Sequence, residues 1–182
     1  LEGNNTLRGY RNHPAIWVES GSSVTFEGNG LLEASAGGAS IGLGAAGIGG
    51  GYGASSNFGN ITINGGTIIA RGSGGGAGIG GGYGAKNNSN STGNQITIRS
   101  NENGSPTVNA VGGGTKKGIA DIGGAGIGTG CNSNADTTIT LEGKVTIKAT
   151  AGKGNVAIGT NGNEQVFTGL AGGTSITRKD SD

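Results

Sequence analysis

The sequence predicts an all-β protein, a right-handed parallel β-helix (β-solenoid) of about five coils with three short strands per coil. A glycine-rich phrase recurs along the chain, and two short segments rich in β-branched residues follow most copies. No segment places apolar residues at the 3.6-residue period of a helix over about 11 residues or more. Strand-and-turn repeats of this size are typical of solenoids, in which each coil is stabilised by packing on its neighbours.

The first strand of each coil lies in the glycine-rich phrase. Its copies read AAGIGGGYGA, GAGIGGGYGA and GAGIGTGCN, with weaker forms HPAIWVES and NVAIGTNG. The isoleucines of these copies recur at intervals of 32, 31, 48 and 31 residues, at Ile16, Ile48, Ile79, Ile127 and Ile158. We expect them to stack as one inward-facing ladder.

The second and third strands follow in four copies each. The second strand reads SVTFE, NITIN, QITIR and TITLE, and the third reads GLLEAS, GTIIAR, PTVNAV and VTIKAT. Because side chains alternate between the two faces of a strand, the apolar residues of both are expected to face inward. These inward residues are Val24, Phe26, Ile61, Ile63, Ile96, Ile98, Ile139 and Leu141 in the second strand, and Leu32, Ala34, Ile68, Ala70, Val108, Ala110, Ile147 and Ala149 in the third.

Glycine makes up 45 of the 182 residues, yet its regular recurrence and a net charge of only +1 argue against disorder. Glycine permits positive φ and close approach of backbones, so it predicts a tight corner in each coil. A shallow groove of bare backbone open to a ligand is the alternative.

The 48-residue interval is assigned to insertions at 101–105 and near 115–122, which we expect on loops.

Composition limits the other classes of function. The length suits a single domain over residues 1–182, and without a start methionine or signal peptide we expect a fragment of a larger surface protein. A charge of +1 provides no basic stripe for nucleic acid, and no apolar run approaches the roughly 18 residues that insert into a membrane. The single cysteine, Cys131, predicts neither a disulfide nor a metal site, and no cofactor is predicted.

The repeat also carries a resemblance. The pattern GxAGIGGGYG followed by GxITIxGGTIxA resembles the glycine-rich β-helix repeats of large surface proteins from Gram-positive gut bacteria. The opening LEGNNTLRG and HPAIWVESGSSVTFEGNGLLEAS is similar to the first coils of carbohydrate-binding β-helix proteins from clostridia, and the likeness extends over about residues 1–160. It implies secretion or attachment to the cell wall, with a polysaccharide or host glycan as partner. The sequence departs from the calcium-dependent members, because its acidic residues are scattered and no Asp-rich turn recurs.

Two tyrosines are candidates for binding a sugar. Tyr52 and Tyr83 take equivalent positions in successive coils, which predicts a separation of about one strand spacing, 4.8 Å. Stacked tyrosines could support a sugar ring and leave their hydroxyls for hydrogen bonds. A purely structural stack at the edge of the coil is the alternative. Cys131 takes the same position in the next coil, so the stack is expected to end after two members.

The first coil and the second strand supply the other candidates. Trp17 and Tyr10, with the only histidine, His13, could cap the open core at this end or form an end-on binding patch. Thr62 and Thr97 belong to an outward row that could bind ice, although their flanking residues vary and threonine in any case favours strands. That row consists of Thr25, Thr62, Thr97 and Thr140.

Parallel β-helices include polysaccharide lyases and glycosidases, whose chemistry needs carboxylates at a set separation. Glu27 and Glu142 share a strand position but lie three coils apart, roughly 14 Å, with Asn64 and Arg99 between them. No catalytic residue is predicted. The sequence favours a non-catalytic adhesive or carbohydrate-binding module, and a structural stalk, a lyase-like enzyme and an ice-binding solenoid remain as alternatives. The candidate ligand-binding residues are Tyr52, Tyr83, Trp17, Tyr10, Thr62 and Thr97.

Overall fold

The computed structural model describes residues 1–38, 43–53, 56–85, 94–102, 104–114 and 123–179, and these ranges form strands and turns with no α-helix. None of the described residues forms a helix that is long and apolar enough to cross a membrane. The strands are β1 (Asn4–Arg8), β2 (Ile16–Trp17), β3 (Ser23–Phe26), β4 (Leu31–Ser35), β5 (Ile48–Gly49), β6 (Asn60–Ile63), β7 (Thr67–Arg71), β8 (Ile79–Gly80), β9 (Gln95–Arg99), β10 (Thr107–Val111), β11 (Ile127–Gly128), β12 (Thr138–Glu142), β13 (Thr146–Thr150), β14 (Ile158–Thr160), β15 (Asn163–Glu164) and β16 (Ser175–Lys179).

Strands that follow one another along most of the chain enter three different sheets. Sheet 1 has the order β1-β4-β7-β10-β13-β16, sheet 2 the order β15-β14-β11-β8-β5-β2, and sheet 3 the order β12-β9-β6-β3. Every pairing between named strands is parallel except that of β14 with β15. The all-β parallel solenoid predicted from the sequence is therefore confirmed, while its right-handed winding and its number of coils stay predictions.

The core is a set of aliphatic ladders that follow the predicted register. Ile48, Ile79, Ile127 and Ile158 pair in sequence across sheet 2 and are completely buried. The inward residues of sheet 1 from Leu32 to Ala149 are equally buried, and sheet 3 contributes its isoleucines. Burial of each leucine, valine or isoleucine of these ladders stabilises the fold by about 1.5–3 kcal/mol, so stability grows with every strand added to a ladder.

The repeated glycines of sheet 2 form the tight corner. Gly49, Gly80 and Gly128 pair in register with φ of +128°, +128° and +133°, a region that side-chain-bearing residues rarely adopt. A Cβ on any of them would collide with the backbone carbonyl oxygen of the following member of the ladder. All three glycines are buried, so the groove of bare backbone considered from the sequence is wrong at this ladder.

Sheet 1 has six strands, whereas the sequence predicted four copies of this strand. The two additional strands, β1 and β16, are the outermost of the sheet, and each has one polar residue, Asn5 or Arg178, at an inward position beside an apolar one. Asn5 pairs with Leu32, and its amide donates to the carbonyl oxygens of Glu2 and Leu31 at 3.0 and 3.1 Å. Because a terminal strand packs on one neighbour only, it needs no aliphatic pair, and the sequence signal is lost.

The C-terminal end is closed by a reversal of the chain. Asn161 and Gly162 have φ of +53° and +76° between paired Thr160 and Asn163, so β14 and β15 form a two-residue hairpin. The Arg178 guanidinium, at an inward position, lies 2.9 Å from the Glu164 carboxylate and 5.9 Å from the centre of the Phe167 ring. These contacts cover the end of the core with a charge pair and an aromatic ring.

Side chains from the same segment cover the outer edge of sheet 3. The Thr160 hydroxyl donates to the carbonyl oxygen of Thr137 at 3.0 Å, and the Gln165 amide donates to that of Ile139 at 2.8 Å. Beyond the strand, the Thr174 hydroxyl donates to the carbonyl oxygen of Gly143 at 2.9 Å. The edge of β12 therefore offers fewer unpaired carbonyl groups to a further strand.

The predicted insertions have different outcomes. Asn101 and Gly104 form an isolated antiparallel bridge between β9 and β10, which places the first insertion on a turn as expected. The second, near 115–122, lies outside the described residues. The chain from Ile79 to Ile96 is also longer than its counterpart from Ile48 to Ile61, so a third insertion was missed.

Candidate functional site

The tyrosine pair lies at the corner where the chain leaves sheet 2 for sheet 3. The corners of successive coils are joined by backbone hydrogen bonds, from the Gly53 amide to the Tyr83 carbonyl at 3.3 Å and from the Gly84 amide to the Cys131 carbonyl at 3.0 Å. These bonds set Tyr52, Tyr83 and Cys131 in one row, as the sequence predicted. The centroids of the two tyrosine rings are 6.1 Å apart, wider than the predicted strand spacing of about 4.8 Å, because the rings are inclined by 32° and do not stack face to face.

Both rings are accessible from solvent. Tyr52 is 40% exposed and Tyr83 is half-buried, and neither belongs to the buried aliphatic core. An aromatic ring at such a corner is held by the backbone ladder beneath it, so little order must be gained when a ligand stacks on it. The pair therefore has the exposure and the fixed spacing that a platform requires.

Asn132 extends the row with a hydrogen bond that the sequence did not predict. Gly53, Gly84 and Asn132 follow the three members of the row, and all have left-handed φ, at +68°, +79° and +56°. Asparagine tolerates this conformation better than other residues with a side chain. Its amide reaches the Tyr83 hydroxyl, to which it donates at 3.3 Å. The sequence signal was an asparagine standing in a slot that glycine fills elsewhere.

A small cavity of about 190 Å³ lies next to Asn132, at the end of the tyrosine row. Burial raises the pKa of the Cys131 thiol above its ordinary value, although the backbone amide of Asn132 acts in the opposite direction. The thiol is therefore neutral at physiological pH, as are the other side chains of the lining. The lining residues are Gly130, Cys131, Asn132, Ser133, Gly154, Asn155, Asn161 and Gly162. We call Tyr52, Tyr83, Asn132 and this cavity the tyrosine site.

Part of the lining of the cavity is fixed by internal hydrogen bonds. The Asn155 amide donates to the Gly123 carbonyl at 3.0 Å, and its side-chain oxygen accepts from the Val156 backbone amide at 2.8 Å. The Ser133 hydroxyl oxygen accepts from the Ala135 backbone amide at 3.2 Å. These bonds hold the wall in place, while the Asn132 side chain is exposed beside the Tyr83 hydroxyl.

The aromatic residues of the first coil form a separate group. Trp17 is 49% exposed and its ring centroid lies 6.2 Å from that of His13, while Tyr10 is 81% exposed. Trp17 pairs with Gly49 and so occupies the first position of the glycine ladder. The partly buried hydrophobic residues packed on the core at this end are aliphatic: Leu1, Ala15, Ile16 and Val24. Aliphatic side chains, more than Tyr10, His13 and Trp17, thus serve the predicted capping role.

The threonine row is present in the predicted register, with Thr62 and Thr97 at its centre. A hydrogen-bonded polar ladder runs beside it. The Asn64 amide donates to the Glu27 carboxylate at 3.0 Å, and the Arg99 guanidinium donates to the Asn64 side-chain oxygen at 2.9 Å. These alternating charges and amides interrupt the uniform array that ordering of ice requires.

The same ladder includes the two carboxylates that share a strand position, Glu27 and Glu142. Glu27 accepts the hydrogen bond from Asn64, and Glu142 lies in register with Arg99 at the other end of the row. Within the part of the chain that the structure describes, no group of three or more His, Cys, Asp or Glu side chains is placed to hold a metal ion.

The chain matches no protein-family model, no curated protein and no solved structure.

Proposed function

We propose that this chain is a non-catalytic, secreted or cell-surface module that binds carbohydrate, and that it binds a neutral sugar at the tyrosine site. The observation that carries the proposal is the pair of accessible rings, Tyr52 and Tyr83, held 6.1 Å apart by the backbone ladder. Placement at the bacterial cell surface rests on the resemblance of the glycine-rich repeat.

The tyrosine pair suits a pyranose because of its electrostatics and its spacing. The face of an aromatic ring is negative and attracts the weakly positive C–H groups on one face of a sugar ring. The two rings stand on adjacent coils, and the spacing of such coils, about 4.8 Å, is close to the length of one pyranose in an extended polysaccharide. Consecutive sugars of one chain can therefore stack on Tyr52 and Tyr83.

The cavity beyond Asn132 favours a neutral ligand. Its side chains are an amide-rich, uncharged set, and the described residues that line it include no cation. A carboxylate or phosphate that entered would lose hydration without gaining an opposite charge, which is costly. A sugar hydroxyl can exchange its hydrogen bonds to water for bonds to amides and to the Tyr83 hydroxyl at little cost.

The expected affinity is weak. An aromatic contact contributes about 0.5–1.5 kcal/mol beyond the area that it buries, and two of them with a few hydrogen bonds give a dissociation constant on the order of 1 mM. Repetition of the module in a longer surface protein would raise the effective affinity for a polymer through multivalency.

Affinity electrophoresis on gels that contain neutral polysaccharides tests the proposal. We expect one of xylan, mannan, cellulose derivatives or dextran to retard the chain, and the double substitution Tyr52→Ala and Tyr83→Ala to abolish that retardation. Tyr10→Ala is the matched control, because Tyr10 is 81% exposed and lies outside the site. Retardation that survives the double substitution but is lost with Tyr10→Ala would assign binding to the end patch. Absence of any retained polymer would favour a structural stalk.

A further inference from the structure

The outward face of sheet 1 carries most of the exposed positive charge found on the strands. Arg8, Arg71, Lys148 and Lys179 all point outward from this sheet and are exposed, against one carboxylate, Glu33. No hydrogen bond or ion pair within the described residues engages the side chains of these four cations. An unpaired positive face on a chain of net charge +1 means that its charges are unevenly distributed.

Three of these cations, on β1, β7 and β13, alternate with neutral polar residues from strand to strand, whereas Lys179 lies on β16 next to β13 and Glu33 lies on β4. Ser35 stands in register between Arg8 and Arg71, on the strand that separates theirs. Asn109 lies on β10, the strand between β7 and β13, and is in register with Lys148. This register is displaced by two residues from the one that contains Arg71. Along the axis of the solenoid these side chains follow one another in the order cation, hydroxyl, cation, amide, cation. The step from Arg71 to Asn109 is diagonal, because these two residues lie on neighbouring strands but are not in register. We call these five residues the cationic row.

The spacing of the cationic row identifies the ligand that fits it. Within the cationic row, Arg8 and Arg71 are separated by roughly 9–10 Å, which is two strand spacings, and Arg71 and Lys148 by roughly 12 Å across the diagonal step. A polysaccharide that alternates an acidic sugar with a neutral one presents one carboxylate per disaccharide, over a similar length. We propose that the cationic row binds such an alternating acidic polysaccharide, with carboxylates on Arg8, Arg71 and Lys148 and the neutral sugars on Ser35 and Asn109.

Nucleic acid fits this face less well. In a B-form duplex each strand has one phosphate per about 3.4 Å of helix axis, so cations spaced two β-strands apart would leave most of the phosphates without a partner. The outward positions of sheet 1 also hold no aromatic side chain on which a base could stack. The proposal is independent of the tyrosine site, which lies at a corner that follows sheet 2.

Binding of hyaluronan, an alternating uronate polymer without sulfate, tests the proposal by titration calorimetry at two salt concentrations. We expect binding to weaken as salt rises, and Arg71→Gln and Lys148→Gln each to reduce affinity about two- to fivefold. Glu33→Gln removes the single carboxylate of the face and should increase affinity. Lys144→Gln, which removes a charge from the exposed turn before β13, is the matched control and should leave affinity unchanged.

Several results would overturn the proposal. One is failure of the chain to bind hyaluronan. Another is an equal loss of affinity with Arg71→Gln, Lys148→Gln and the control Lys144→Gln, and a third is an unchanged affinity with Glu33→Gln. Equal or tighter binding of a single-stranded oligonucleotide through the same residues would assign the face to nucleic acid instead. The double substitution Tyr52→Ala and Tyr83→Ala should leave hyaluronan binding intact, so failure of the tyrosine site and failure of the cationic row are distinguishable.

Discussion

Replacing Gly80 by alanine adds one methyl group at a close backbone contact of the glycine corner. Gly80 is buried with a φ of +128°, and the new Cβ would meet the carbonyl oxygen of Gly128 in the next coil. A side-chain-bearing residue in such a sparsely populated region costs about 1–3 kcal/mol, and the displaced backbone weakens hydrogen bonds worth about 1 kcal/mol each. We therefore expect a loss of about 3 kcal/mol or more, which lowers the Tm of a chain of this size by roughly 6–12 °C.

Thermal unfolding followed by circular dichroism measures the effect, with Gly172→Ala as the matched control. A Cβ at Gly172 would have no atom within 4 Å, and the φ of this residue is not positive, so alanine fits there without strain. Reduced freedom of the unfolded chain should leave the control unchanged or slightly stabilised, by up to about 1 kcal/mol. Equal Tm values for Gly80→Ala and Gly172→Ala would refute the explanation of the glycine ladder as a steric requirement.

Two further predictions concern the C-terminal edge and the single cysteine. The double substitution Gln165→Ala and Thr160→Val removes the hydrogen-bond donors to the carbonyl groups of Ile139 and Thr137. Light scattering should then show more self-association than in the parent chain, because the edge of β12 is open to a further strand. An unchanged mass would contradict the role given to this edge. Because burial raises the pKa of the Cys131 thiol, its thiolate forms at higher pH in the folded chain than in the unfolded one. Alkylation of the Cys131 thiol by iodoacetamide near pH 8 should therefore be slower in the folded chain than in the chain unfolded by urea, and equal rates would argue against this burial. The stability contributed by the protonated thiol should also be lost as pH rises from the pKa of the unfolded chain through that of the folded chain.

The ladders of the core could be predicted because they depend on alternation within short strands. Ile61 and Ile63 repeat as Ile96 and Ile98, and each pair is buried against its counterpart. The outermost strands could not be predicted in this way. At the C-terminal end Arg178 takes an inward position and is stabilised by Glu164, a residue that approaches only after the hairpin reverses the chain.

The tyrosine site could also be predicted from the sequence only in part. Tyr52 and Tyr83 could be placed together because they occupy equal positions of a repeat. The cavity could not, because its walls come from three segments brought together by the winding of the chain, at Cys131, at Asn155 and at the Asn161–Gly162 turn. Asn132 could have been found from its left-handed slot, which glycine fills at Gly53 and Gly84.

Binding of a sugar to the tyrosine pair is the central functional claim, and NMR titration of the ring resonances tests it most directly. A neutral oligosaccharide of the polymer retained in electrophoresis should shift the ring signals of Tyr52 and Tyr83 and the side-chain amide of Asn132. Tyr10, 81% exposed on the first coil, should not shift. Shifts confined to Tyr10 and Trp17, with Tyr52 and Tyr83 unaffected at saturating sugar, would contradict the account.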